Sequence, residues 1–166
     1  GLLAHSFNQM SGSINRLLEE VSEKKRLEQE LEIAREVQAS LFPKQLPHAP
    51  GVAVFGGCEP ARVVSGDYYD FIFMDDTRLH IIVGDISGKG ISAALLMANL
   101  QAAIRNQLMA LKEPASNNPE ASLASLMEQL NQQIFENSPA EKFATLFALR
   151  YDANSRRLAY CNAGHL

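Results

Sequence analysis

Tyr68-Tyr69-Asp70-Phe71-Ile72-Phe73-Met74, then Asp75-Asp76-Thr77, then Leu79-His80-Ile81-Ile82-Val83 is the stretch on which the fold turns. Two runs rich in β-branched and aromatic residues flank a short polar break, the pattern of a hairpin. Downstream, residues 91–111 take up helical spacing, with Ala93, Ala94, Leu96, Met97, Leu100, Ala103, Ile104 and Leu108 apolar. Pro114 and Pro119 bracket a polar loop, and Pro119 beside Glu120 suits the first turn of a second helix over 119–135. Residues 143–151 and 157–161 repeat the hairpin pattern across Asp152-Ala153-Asn154-Ser155, and 52–58 alternates loosely as a further strand. Strands, two helices, then strands is an α+β order and not a βαβ repeat.

The first forty-two residues have a different rhythm. Phe7, Met10, Ile14, Leu17 and Val21 recur in steps of three and four, which sets them on one helical seam of the coiled-coil kind. Lys24 takes the next seam position; Leu27, Leu31, Ala34, Val37 and Leu41 resume it. Successive steps of three around Lys24 would overwind a supercoil locally, so Lys24 and Lys25 mark a candidate bistable segment. Between Glu19 and Glu36 lie seven acidic and four basic residues without a Pro or Gly, and Glu20 precedes Lys24 in the favourable order for a helical pair. The expectation is a dimerising rod roughly 60 Å long; the alternative is an amphipathic helix packed on its own domain. Pro43, Pro47, Pro50 and Gly51 mark the boundary.

Composition narrows the class. The 166 residues are 46% apolar, enough for one sizeable core. Fifteen Lys+Arg against nineteen Asp+Glu gives a net charge of −4, which argues against nucleic acid as the main partner. Two cysteines, Cys58 and Cys161, form no CxxC spacing, which argues against a disulfide scaffold or zinc ribbon. No apolar run reaches the roughly 18 residues of a membrane span and no signal peptide is visible, so a soluble protein of a reducing compartment is expected.

Two strings carry the candidate chemistry: Ser65-Gly66-Asp67-Tyr68-Tyr69-Asp70 and Gly84-Asp85-Ile86-Ser87-Gly88-Lys89-Gly90. Asp85 follows the apolar run Ile81, Ile82, Val83, where a charge would sit beside buried surface, and glycines at 84, 88 and 90 permit a tight turn. A hairpin that lays the two strands side by side brings Asp67 towards Asp85. Two carboxylates without a lysine or arginine between them repel, and a hard divalent cation, Mg²⁺ or Mn²⁺, relieves the conflict. The second string is not a P-loop, because only three residues separate Gly84 from Gly88 and Lys89 precedes glycine. Plainer roles fall to the rest: local hydrogen bonding for Asp70, packing for Tyr68 and Tyr69, a solvated turn for Asp75 and Asp76, a turn histidine in His165, and core positions for Cys58 and Cys161.

In order, the strings Glu30-Leu31-Glu32-Ile33-Ala34-Arg35-Glu36-Val37-Gln38, Leu41-Phe42-Pro43, Ser65 to Asp70, Gly84 to Gly90 with Ala93-Ala94-Leu95, Phe143-Ala144-Thr145-Leu146-Phe147 and Asn162-Ala163-Gly164-His165 resemble the bacterial stage-II-sporulation-E-like branch of the PPM (type 2C) phosphatases. Ser65-Gly66 stands where Gly-Gly is commoner. Leu3-Ala4 and Phe7-Asn8-Gln9-Met10 resemble the end of a HAMP signalling module. The division implied is 1–42, HAMP end and coiled-coil linker, and 43–166, the N-terminal two-thirds of a PPM domain.

That resemblance implies an α/β/β/α sandwich, here incomplete, with two central antiparallel sheets, helix pairs outside and two Mn²⁺ or Mg²⁺ ions at one end of the sheets. Asp67 would hold one ion, Asp85 would bridge both, and the Ile86 carbonyl would add a ligand. The reaction implied is hydrolysis of phosphoserine or phosphothreonine by a water that attacks phosphorus in line. The substrate implied is a phosphorylated antagonist protein of a partner-switching pathway. A homodimer through the N-terminal helix, in the cytoplasmic part of an inner-membrane sensor anchored by an upstream segment, completes the picture. The family's further metal-binding aspartates lie downstream of Asn-Ala-Gly-His, so the expectation for these 166 residues alone is weak metal binding and little turnover. The alternatives are a non-enzymatic dimeric scaffold and, less favoured, a nucleotide cyclase, whose metal aspartates lie farther apart than the eighteen residues from Asp67 to Asp85.

Overall fold

The computed structural model describes residues 1–60, 63–110 and 119–166. The chain divides into two compact units, Gly1–Glu36 and Val37–Leu166.

The first unit is helical throughout, part of the helix α1 (Leu2–Ala39). Its seam residues Phe7, Met10, Ile14, Leu17 and Val21 are all exposed. The charged stretch is laced by Arg16–Glu20, Lys24–Glu28, Arg26–Glu30 and Glu32–Arg35 pairs. Glu20 therefore pairs backwards with Arg16, and the expected Glu20–Lys24 pair gives way to Lys24–Glu28. All these side chains are exposed, and pairs of this kind contribute only a few tenths of a kcal/mol each, about 0.3–0.5.

The second unit is built on a four-stranded antiparallel sheet. Numbered in chain order, its strands are β3 (Asp67–Phe73), β4 (Arg78–Ile86), β5 (Ala144–Asp152) and β6 (Arg157–Ala163), and they lie in that spatial order. Both hairpins read from the sequence are present, and β4 also pairs with β5 across the intervening helices. The register fixes the faces. Tyr68, Ile72, Ile82, Ile86, Leu146, Ala148 and Ala159 point to one side and form the main core with α2 (Ile91–Ala110) and α3 (Pro119–Asn137). α2 crosses β3 and β4, α3 crosses β5 and β6, and the helices touch each other. From α2 the core takes Ala93, Met97, Leu100, Ala103, Ile104 and Leu108, all of them positions of the expected apolar stripe. Leu111 and the loop containing Pro114 lie outside the described residues.

On the opposite face a two-stranded ribbon, β1 (His48–Ala49) with β2 (Val52–Ala53), covers Leu79 and Tyr151 in a smaller cluster. The Tyr151 hydroxyl donates to the Pro50 carbonyl at 2.9 Å and ties the ribbon to the sheet. Among the described residues, then, one of the two implied central sheets is formed, with one helix pair outside it and a ribbon on its inner face. The strand expected over 52–58 is only Val52–Ala53. Beyond it the chain passes over aromatic rings: a Cβ on Gly56 would lie 2.7 Å from the Tyr69 ring. Contact with a ring face replaces ladder hydrogen bonds there, so alternation without pairing misled the assignment.

Candidate metal centre

β3 begins and β4 ends at the same edge of the sheet. Asp67 stands directly opposite Asp85, and Thr145 stands opposite Asp85 on its other side. Side chains paired this way share a face with Cβ atoms about 5 Å apart. Residues alternate along each strand, so this row belongs to the face of Tyr69 and Val83, away from the helices. Both carboxylates are exposed to solvent. Partial burial, then the charge of Asp67 and a hydrogen bond shared with it, push the Asp85 pKa up, against an opposing pull from His165. No Lys or Arg among the described residues forms an ion pair with either acid.

The neighbouring segments are held from several sides. Gln38, in the last turns of α1 and within the second unit, is buried and grips Ser65 through both backbone groups. Its Nε2 donates to the Ser65 carbonyl at 2.8 Å, and its Oε1 accepts from the Ser65 N–H at 2.9 Å. Ser65 Oγ in turn donates to Asp67 Oδ2 at 2.9 Å and accepts from the Asp67 N–H at 3.1 Å. On the other strand, the Ser87 N–H donates to the Phe143 carbonyl at 2.8 Å and Ser87 Oγ accepts from the Phe143 N–H at 2.9 Å. Lys142 Nζ donates to the Ser87 carbonyl at 3.2 Å. Gly88 and Gly90 have φ of 100° and 77°, the left-handed region glycine is needed for. Gly84 has a different role from the expected turn: it lies inside β4, where a Cβ would sit 2.6 Å from Leu146 Cδ2.

Ile86 buries its side chain in the core, while its carbonyl oxygen faces Gly66, where a Cβ would approach to 2.8 Å. A glycine at 66 lets the two segments approach this closely, and the Ile86 oxygen lies within the fold, since the residue is only 1% exposed. Two carboxylates and a carbonyl oxygen form an oxygen-only donor set, suited to Mn²⁺ or Mg²⁺. The residues present therefore fit such ions, though sparsely: among the described residues no three His, Cys, Asp or Glu side chains cluster closely enough to hold an ion by themselves.

Several assigned roles change. Asp70 is completely buried and reaches far beyond its own turn, accepting from Arg105 Nε (2.8 Å) and Nη2 (2.9 Å) on α2, from the Tyr68 hydroxyl (2.8 Å) and from the Phe71 N–H (2.8 Å). Burial, followed by the Asp70 charge, raises the Tyr68 hydroxyl far above its ordinary pKa. Tyr69 packs, stacked on Phe42. Asp75 is a turn residue that pairs with Arg78, which holds its carboxyl well below the usual range. Cys161 packs against the core, but Cys58 lies beside Ser65 and Asp67, and burial with the Asp67 charge raises its thiol pKa. Gln38 and Thr145 lie in strings that carry the family resemblance, but their contacts and that of Arg105 had no local signal, since the partners lie 27, 20 and 35 residues away.

A helix-backed antiparallel sheet that ends in opposed carboxylates is the arrangement of a type 2C phosphatase-like domain. The fold of the SiaA-PP2C domain of Pseudomonas aeruginosa agrees, with a TM-score of 0.61 over 84% of this chain and 54% of that one at 21% identity. The family model described as Stage II sporulation protein E (SpoIIE) matches residues 75–166, and the chain belongs to that family. Phosphoserine phosphatase RsbU of Bacillus subtilis is 30% identical over 84% of this chain and 38% of its own length. Protein IcfG of a Synechocystis strain is 29% identical over 99% of this chain and 29% of its own. The chain thus spans less than two-fifths of the length of these curated relatives.

Proposed function

We propose that the chain contributes the metal-binding face of a protein phosphatase that hydrolyses phosphoserine or phosphothreonine. The observation that carries this is the direct opposition of Asp67 and Asp85 at a strand end, with both carboxylates open to solvent. The family membership and the name of the RsbU relative support it. Asp67 and Asp85 would hold Mn²⁺ or Mg²⁺, and the family resemblance implies two such ions with Asp85 shared between them. When bound, the ions supply the positive charge that orients and acidifies the attacking water and neutralises charge on the phosphoryl group. Ser65 orients the Asp67 carboxylate, and the Ser87–Phe143 and Lys142 bonds hold the Asp85 strand end in place.

The substrate proposed is a phosphorylated antagonist protein in a partner-switching pathway. Residues 1–42 are proposed as a HAMP end and coiled-coil linker that dimerises the chain, and 43–166 as the N-terminal part of the PPM domain. The exposed seam of Phe7, Met10, Ile14, Leu17 and Val21 supports pairing of that helix. No helix among the described residues is long and apolar enough to cross a membrane; attachment to an inner-membrane sensor, with this part on the cytoplasmic side, belongs to the proposal. The test is release of phosphate from a phosphoserine protein by the longest natural chain that carries these residues, with and without Mn²⁺. Mn²⁺-dependent release that Asp85→Asn abolishes is expected. Binding of a partner protein without any turnover would favour the scaffold alternative and overturn the enzymatic one.

A further inference from the structure

His165 is held with more care than a turn residue needs. The chain leaves β6 at Ala163 and turns at Gly164, whose φ of 77° and bridge to Leu146 swing the backbone back towards β5. Asn162 then closes on His165 at two points: its Oδ1 accepts from the His165 N–H at 2.8 Å, and its Nδ2 donates to the His165 carbonyl at 2.9 Å. The ring itself is anchored, with Nδ1 3.0 Å from Thr145 Oγ1, whose hydroxyl also lies 3.5 Å from the Asp85 carbonyl. Thr145 occupies the place opposite Asp85, so the imidazole extends the row Asp67, Asp85, Thr145 by one more group.

Through Thr145 the ring stands next to the Asp85 end of the row. Among the described residues it forms no three-ligand cluster with Asp67 and Asp85. We assign the single Thr145 hydroxyl proton to the shorter of its two contacts, so that Nδ1 accepts it and Nε2 carries the ring N–H, with no hydrogen-bond partner among the described residues. An edge made only of carboxylates repels a phosphate dianion wherever metal charge does not reach it, and a fixed N–H donor next to the pair is what such an anion requires.

We propose that His165 is a substrate-contacting residue, its Nε2 donating a hydrogen bond to a non-bridging oxygen of the phosphoryl group held against Asp67 and Asp85. This rests on the phosphatase function proposed above. Asn162 and Thr145 act through His165 as positioning residues.

The test compares His165→Ala, His165→Gln and Asn162→Ala with the wild-type protein in its longest natural chain. Three quantities are measured: Mn²⁺ affinity, kcat/KM on a phosphoserine peptide, and inhibition by inorganic phosphate. Loss of one hydrogen bond to a charged group is expected to lower kcat/KM about 10- to 100-fold in His165→Ala and to weaken phosphate inhibition in parallel. Mn²⁺ affinity should stay within about twofold, His165→Gln should recover part of the loss through its amide donor, and Asn162→Ala should show an intermediate loss. Equal falls in Mn²⁺ affinity and kcat/KM, or a kcat/KM unchanged in His165→Ala, overturn the proposal while the phosphatase function stands. Absence of turnover in the wild-type protein overturns both.

Discussion

Replacing Asp67 by Asn separates the cost of the carboxylate pair from its use. Asn keeps the shape and an oxygen that can accept from Ser65 Oγ, but removes one of two like charges that face each other across the β3–β4 ladder. Directly opposed like charges destabilise a sheet by about 0.2–1 kcal/mol, and solvent exposure of both side chains puts this pair near the lower half of that range. At about 2–4 °C per kcal/mol for a chain of this size, Asp67→Asn should raise the Tm in EDTA by roughly 1–2 °C. Manganese should reverse the order. An ion present at a hundredfold excess over its Kd stabilises by about 2.7 kcal/mol, a rise of roughly 5–10 °C in the wild type. The variant, with one carboxylate left, should show little of that rise. Scanning calorimetry in EDTA and in excess MnCl₂ reads both effects, and NMR titration should find the Asp85 pKa moved back towards its ordinary value. A variant that melts below the wild type in EDTA and gains as much from Mn²⁺ would refute the account of this pair.

Three further outcomes follow from the buried contacts. Asp70→Asn leaves four donors facing one acceptor and an amide, and should cost about 3–5 kcal/mol in urea unfolding, with a smaller loss for Arg105→Lys; a change below about 1 kcal/mol would show that the Asp70–Arg105 tie is not needed. Gln38→Ala strips the partners from a buried N–H and a buried carbonyl and should cost about 2–4 kcal/mol in the same measurement. Gln38→Glu should also destabilise, because a carboxylate oxygen then faces the Ser65 carbonyl, and wild-type stability in both would discount the grip on Ser65. His80 is buried beside Arg150 and Arg78, and burial first, then those charges, lower its pKa to about 4. The unfolded chain therefore takes the proton first as pH falls below about 6.5, so stability is full above that pH and declines towards pH 4. Between pH 7 and 4.5 the wild type should lose roughly 2–3 kcal/mol more than His80→Leu, and parallel pH profiles would contradict that.

What could be read in advance was what one strand or one helix encodes by itself. Ile81, Ile82 and Val83 are legible as a strand because β-branched residues declare it, and Met97, Leu100 and Ile104 as a helix face because spacing declares that. The meeting of Asp67 and Asp85 followed from the hairpin, since one precedes and the other follows the break at residues 75–77 and both lie at the strand ends far from it. Contacts between segments left no trace in local pattern. Gln38 sits among charged helical residues and looks like any solvated side chain, yet it is buried against Ser65. Asp70 looked local because only its own neighbours were in view, and the Arg105 fork comes from a helix packed across the sheet. Residues 52–58 alternate as strands do, but only Val52–Ala53 pair, and at Gly56 the chain lies against the Tyr69 and Phe71 rings.

The grip of Gln38 gives the end of a long helix an unusual mechanical position. It clamps a peptide group just two residues ahead of Asp67, and Ser65 passes that hold to the carboxylate by its hydroxyl. The final turn of α1 and the Asp67 side chain are thus strung on one short chain of hydrogen bonds, so the carboxylate takes its bearing from the helix end as well as from its own strand.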